Sequence, residues 1–265
     1  MSARTRVWIV VGAAALAAAG AAVGVTLATR SEVAKNTSRP PPFAADPTAP
    51  PAVASQVQEA LRAWPAGTVR RLRILAQRYP GSGLVRLELG LALVFTGQKT
   101  DADRAWQDAE RVQPNSPSAV RAGDLRHPNT PPGLPPFVPS FSRPANATQL
   151  RLLRGAAFQQ ALRPVSAERE FAAAARAAPN DPEALTAAAL GLYDKDRPAL
   201  AFSRLGPLAR RFPHAQTVRF HLGLLLIYFG DVPRARRELA LARAQGPRTL
   251  LGNRAETLLK AGRKP

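Results

Sequence analysis

The sequence predicts an all-α protein, a solenoid of helical hairpins preceded by a single transmembrane helix. Three observations predict it. A 34-residue period runs without a gap from Thr148 to Thr249. Within each unit, Gly or Ala stands at position 8 (Gly155, Ala189, Gly223), Ala at position 20 (Ala167, Ala201, Ala235) and Pro at position 32 (Pro179, Pro213, Pro247). Upstream, Val7 to Thr29 is 23 residues without a charge.

After a short tail (1–6) comes the predicted anchor, 7–29. At about 1.5 Å per residue it spans a hydrocarbon core of roughly 30 Å. Its eight Val, Ile or Leu residues contribute about −2 to −5 kcal/mol to insertion. A cleaved signal peptide is the competing reading, with Thr26-Leu27-Ala28 as a cleavage site, although its apolar core usually runs only about 7 to 15 residues. Gly20 and Gly24 form a GxxxG pair, a spacing that arises easily in so alanine-rich a stretch. Arg4 and Arg6 before the span and Arg30, Lys35 and Arg39 after it nearly balance, so the positive-inside rule hardly discriminates. A short leading tail before one large domain favours a single-pass cell-membrane protein with extracytoplasmic repeats. The absence of cysteine is compatible with an oxidising exterior. Six prolines between Pro40 and Pro51 make the linker, 30–51, a stiff spacer.

The N-terminal repeat block, 52–125, contains one full unit, Gly83 to Ser116, with Leu89, Gly90, Leu93, Ala102, Trp106, Ala109 and Pro114 in register. A degenerate hairpin precedes it and a partial helix follows. Residues 126–147 form a Pro-rich insertion, three tandem units occupy 148–249, and a capping helix closes the array at 250–261. Ser116 before Pro117, Asp181 before Pro182, and Asp231 near Pro233 read as helix N-caps. Leu75 to Gly97 and Leu208 to Gly230 share eleven of 23 residues at an offset of 133. A duplication or a common repeat consensus explains that echo.

The recurring small, bulky and proline positions resemble the tetratricopeptide repeat. The resemblance implies two antiparallel helices per unit, crossing closely at positions 8 and 20, with Phe171, Leu205 and Leu239 at position 24 filling the space beside the crossing. Arg86, Arg151 and Arg219 depart from the pattern at position 4, where the family packs a large apolar residue, so a loosened first turn is expected there. The resemblance also implies a concave surface lined by first helices. In two units those positions are Leu84, Leu87, Leu91, Val94 and Phe95, and Thr217, Phe220, Leu224, Ile227 and Tyr228. Their apolar character fits either burial against the chain itself or a groove for a partner helix or extended peptide. The basic-and-asparagine clamp for a terminal carboxylate is absent from them. The Pro-rich insertion, with Leu134, Phe137, Val138 and Phe141, reads as a cover lying across this face like a bound peptide, with a recognition segment for another protein and a disordered insertion as the alternatives.

The chain carries 37 basic against 18 acidic residues, a net charge of +19, with only five lysines. Arginine clusters at 70, 71 and 73, at 210 and 211, and at 234, 236 and 237 fall on second helices, predicting a basic outer surface. A biased composition explains them, as does attraction to anionic lipid or wall polymer. Nucleic acid is disfavoured, because no recognition helix or interleaved aromatic residue accompanies the basic clusters.

No cofactor, metal or catalytic group is predicted. His127, His214 and His221 join no nucleophile motif. Asp101/Asp103 and Asp194/Asp196 sit where turns and helix caps belong, and cysteine is lacking. The expected function is therefore non-enzymatic: a membrane-anchored scaffold binding a protein or peptide at a bacterial cell envelope. An electrostatic tether to anionic wall or lipid is the alternative, as is an assembly factor resembling the anchored repeat proteins of cytochrome c maturation.

Overall fold

The structure is a computed structural model and describes residues 39–261. The tail, the predicted anchor at 7–29 and most of the linker lie outside the described residues. Among the described residues no helix is long and apolar enough to cross a membrane.

The described residues form twelve α-helices in two compact units, one ending at Gly133 and the other beginning at Leu134. The first unit holds α1 (Pro51–Arg62), α2 (Thr68–Arg78), α3 (Gly83–Phe95), α4 (Lys99–Val112) and α5 (Pro117–Arg126). The second holds α6 (Ala147–Gln160), α7 (Pro164–Ala177), α8 (Pro182–Gly191), α9 (Ala199–Arg211), α10 (Gln216–Tyr228), α11 (Val232–Gln245) and α12 (Leu250–Ala261). Successive helices pair as hairpins in both. First helices also pack on one another, α1 on α3 on α5 in one unit and α6 on α8 on α10 on α12 in the other. The fold is all-helical, with tetratricopeptide-like hairpins.

The helix starts follow local chemistry. Ser116, Asp181 and Asp231 each accept a backbone N–H of the first turn, from Ala119, Glu183 and Arg234. Asp101 is no cap: it lies in the first turn of α4, 3.2 Å from Arg104. At the ends of α3 and α10, Gly97 (φ +82°) and Gly230 (φ +78°) adopt the left-handed conformation. There the next amide closes on a carbonyl five residues back, Gln98 on Leu93 at 2.8 Å and Asp231 on Leu226 at 2.9 Å.

Hairpin crossings are as tight as the small residues require. A methyl group added at Gly90 would lie 2.2 Å from Nε1 of Trp106, and one at Gly155 would lie 2.3 Å from Cε1 of Phe171. At Gly223 it would meet Leu239 at 2.7 Å and the Ala235 carbonyl at 3.2 Å. Position 8 therefore packs on the side chain of position 24, and position 20 is buried in every unit.

The arginines at position 4 do not loosen the first turn, contrary to the sequence expectation. Arg151 and Arg219 reach the partner second helix, where Glu170 and Glu238 meet them at 3.3 and 2.9 Å. Arg86 lies 3.4 Å from the carbonyls of Tyr79 and Ser82. An ion pair across the hairpin thus replaces the usual apolar contact at Arg151 and Arg219, while Arg86 bonds carbonyls of the turn ahead of α3.

Candidate functional site

The candidate site is the first-helix face of each unit, and each face carries an extended Pro-rich strap of the chain itself. In the second unit the strap is 134–141, ahead of α6. Pro135, Pro136 and Pro139 lack an N–H. The three donors left between Pro135 and Ser140 each find a side chain on a different first helix. Phe137 donates to Oε1 of Gln159 on α6 at 2.8 Å, and Val138 to Nε2 of His221 on α10 at 2.9 Å. Ser140 donates to Oε1 of Glu183 on α8 at 2.6 Å. Two strap carbonyls are answered as well, that of Pro135 by Nε2 of Gln159 at 3.4 Å and that of Leu134 by the Tyr228 hydroxyl at 2.9 Å. Every amide of this stretch is thus accounted for, as burial demands.

Apolar contacts complete the docking. Phe137 and Val138 are buried in the same cluster as Phe220, Leu224, Ile227 and Tyr228, with Leu134 and Phe141 packed against it. The Phe137 ring stacks on the His221 imidazole at 5.0 Å and meets Phe171 edge-on at 5.2 Å. Residues 134–141 of the Pro-rich insertion thus lie on the apolar first-helix face, one of the three readings that its composition allows.

The first unit repeats the arrangement with residues that the sequence reading assigns to a free spacer. Pro41, Ala44 and Asp46 are buried, so this end of the 30–51 linker is docked. Ala44 donates to Oε1 of Glu88 on α3 at 2.7 Å. Asp46 accepts the Ser118 amide at 3.0 Å and the Ser118 hydroxyl, both at the start of α5, and Arg121 reaches the Ala45 carbonyl. A proline run reads as a spacer from composition alone, but the apolar face of α3 needs cover and the nearest chain supplies it.

The ten predicted face residues are brought together in two sets, and neither set is open. Leu84, Leu87, Leu91 and Phe95 are buried and Val94 is half-buried, while Thr217, Phe220, Leu224, Ile227 and Tyr228 are all buried. Of the two readings of their apolar character, the structure displays burial against the chain itself. Much apolar area on one face cannot stand in water when a segment of the same chain reaches it.

Glu88 and His221 are fully buried, both at position 6 of their units and 133 residues apart. Each interrupts an apolar run, which is the signal that could have found them. His221 cannot be read as a generic packed histidine. The Val138 amide can only donate and the Thr217 carbonyl, 2.7 Å from Nδ1, can only accept, so the proton sits on Nδ1. Burial lowers its pKa to about 4, with the Thr217 bond opposing and Arg254 adding to the shift. Burial raises the Glu88 carboxyl to about 8, against the Ala44 bond and the Arg121 charge. Burial also raises Glu183, partly offset by the two bonds from Ser140.

The arginine clusters lie outside this face. Arg70, Arg71 and Arg73 on α2, Arg210 and Arg211 on α9, and Arg234 and Arg237 on α11 are exposed, and Arg236 is half-exposed. Among the described residues no cluster of three or more His, Cys, Asp or Glu side chains could hold a metal ion.

No protein-family profile matches this sequence, and no curated protein does. Among solved structures, YrrB, described as a tetratricopeptide protein with an unusual peptide-binding site, is similar at 15% identity and a TM-score of 0.33, over 77% of this chain and 87% of that one. MamA from Desulfovibrio magneticus RS-1 is similar at 16% identity and a TM-score of 0.27, over 74% of this chain and 94% of that one. The fold described above rests on the hairpin geometry and not on these scores.

Proposed function

We propose that the chain is a non-enzymatic scaffold that binds a protein or peptide partner along its first-helix faces. The observation that carries this reading is strap 134–141, an extended segment held by side chains of α6, α8 and α10 through its backbone amides. A face that orders one extended segment in this way has the chemistry to order another. Residues 7–29, by their composition, would tether the scaffold to a membrane, with the repeats facing the exterior of a bacterial cell. Amino-terminal sequencing of membrane and soluble fractions tests the tether, which fails if the chain is recovered soluble and lacking these residues.

A second reading draws on the exposed arginines of α2, α9 and α11, an electrostatic tether to anionic wall polymer or lipid. Site-specific photo-crosslinkers separate the two in intact cells, one at Tyr228 beneath the strap and one at Arg237 on the outer surface. The scaffold reading predicts a discrete adduct from position 228 that survives about 0.5 M salt, where the Debye length is only a few ångströms. Adducts from position 237 alone, lost at that salt, contradict it.

A further inference from the structure

We infer that the first-helix face reads one peptide code, two prolines, an aromatic residue and then an aliphatic residue that keeps its amide hydrogen. On this inference both straps are resident copies of the code, and an extended proline-rich segment of a partner protein displaces them. This rests on the scaffold reading and adds to it the chemistry of the ligand and the presence of a gate.

The code is visible because the chain binds it twice. Pro41-Pro42-Phe43-Ala44 and Pro135-Pro136-Phe137-Val138 are the two segments, 94 residues apart. Their burial agrees at three of the four positions and differs at the aromatic residue, where Phe137 is buried and Phe43 half-buried. The first proline is buried, the second half-buried, and the fourth residue buried in each. In each, the amide of the fourth residue is taken by the side chain at position 6 of a first helix, Ala44 by Glu88 at 2.7 Å and Val138 by His221 at 2.9 Å.

The two acceptors share no chemistry beyond a lone pair. One is a carboxyl with a raised pKa and the other an imidazole with a lowered one, yet both stand in the same slot of helices that otherwise read alike. What the slot keeps is an acceptor for a backbone N–H. A polar side chain in a fully buried apolar helix is destabilising unless it is bonded, so a slot that holds one in both units calls for a backbone amide to answer it, here that of the strap. Prolines suit the ligand twice over. They hold it extended before it binds and remove donors that the face could not satisfy. The same slot discriminates against proline at the fourth residue, which would bring no hydrogen to the acceptor.

The resident strap is tethered at an effective concentration of order millimolar, so a free peptide meets a closed face and a partner must compete by affinity or by bearing several motifs.

The test uses the full chain and its Val138→Pro variant, which favours an extended strap, removes the donor and puts a proline ring in place of the buried valine side chain. A fluorescent peptide with the sequence of residues 133–142 is titrated against each by anisotropy, beside the same peptide carrying proline at the valine position. Amide exchange across 134–141 reports whether the strap has opened. The expected result is an opened strap in V138P, peptide binding at least tenfold tighter than to the native chain, and at least a tenfold loss for the proline-substituted peptide. A strap as protected in V138P as in the native chain overturns the inference, and so does an opened strap that ignores the peptide. If the opened face instead takes a proline-free extended peptide or an amphipathic helix equally well, the code is wrong and the scaffold reading stands. Concentration-dependent dimerisation of V138P, seen by sedimentation, would make a second copy the occupant and overturn the assignment to a partner. Should V138P lose its helical circular dichroism, Phe137→Ala opens the strap by removing the stacked ring, and the same outcomes apply.

Discussion

The amide of Val138 meets Nε2 of His221 at 2.9 Å across 83 positions of sequence, and the same imidazole presents Nδ1 to the carbonyl of Thr217 at 2.7 Å. A neutral ring with its proton on Nδ1 makes both bonds. A protonated ring cannot, because a second N–H would then point at the strap's own N–H. The attachment of strap 134–141 is therefore tied to one protonation state.

Acid should weaken the second unit through this residue. The pKa of His221 falls from 6.5 to about 4 on folding. Its contribution is fully present above pH 6.5 and is lost as pH falls through 4, by about 3 kcal/mol in all. Denaturant unfolding of the native chain and of His221→Gln between pH 7 and pH 4 measures it. The native chain should lose more stability than the variant by an amount of that order, and parallel curves would contradict the assignment.

Base should act on the first unit with the opposite sign. The Glu88 carboxyl rises from 4.5 to about 8 on folding, so its contribution is fully present below pH 4.5 and is lost as pH rises through 8. Glu88→Gln keeps an acceptor for the Ala44 amide and cannot ionise. At pH 9 the variant should be the more stable of the two by roughly 4–5 kcal/mol, a gap that closes toward pH 5 in thermal or denaturant unfolding.

Gly155→Ala tests the hairpin crossing. Its new methyl group would stand 2.3 Å from a fully buried Phe171, so the helices or the ring must shift. The expected loss is about 1–3 kcal/mol. Ala189→Gly, at the equivalent position, should cost no more than about 1 kcal/mol. Equal stability of native and G155A chains would mean that the crossing is looser than described.

The ion pair at position 4 is open to a double-mutant cycle. Arg219 and Glu238 are 2.9 Å apart with side chains only 18% and 20% exposed. Arg219→Met and Glu238→Gln, singly and together, should give a coupling of about 1 kcal/mol that outlasts moderate salt. A coupling near zero would return position 4 to a plain surface role.

What could be read in advance was whatever repeats. Gly155, Gly223, Ala167 and Ala235 recur at fixed spacing because the hairpin crossing imposes the same steric limit on each unit. The apolar positions of α3 and α10 were legible for a similar reason, since a helix face declares itself by its period. The straps were legible only by half. Prolines in 126–147 exclude helix and the interspersed aromatic residues suggest cover, but in 41–46 the single Phe43 gives no comparable pattern. Glu88 and His221 escaped notice as a pair because a carboxyl and an imidazole share no residue type. Their kinship appears only when each is seen accepting the same backbone atom. The role of Arg219 is not legible locally, because its partner, Glu238, lies on the next helix and outside any local pattern.

The most direct test of this account is hydrogen exchange at the amides of Ala44 and Val138, followed residue by residue in the native full-length chain near pH 6. Docked straps predict that both exchange on the slow timescale of the helical core, at least about a thousandfold below the rate of an unstructured peptide. Exchange of either amide at the unstructured rate would show that its strap does not sit on its face, and the account of that face as an occupied peptide site would be wrong.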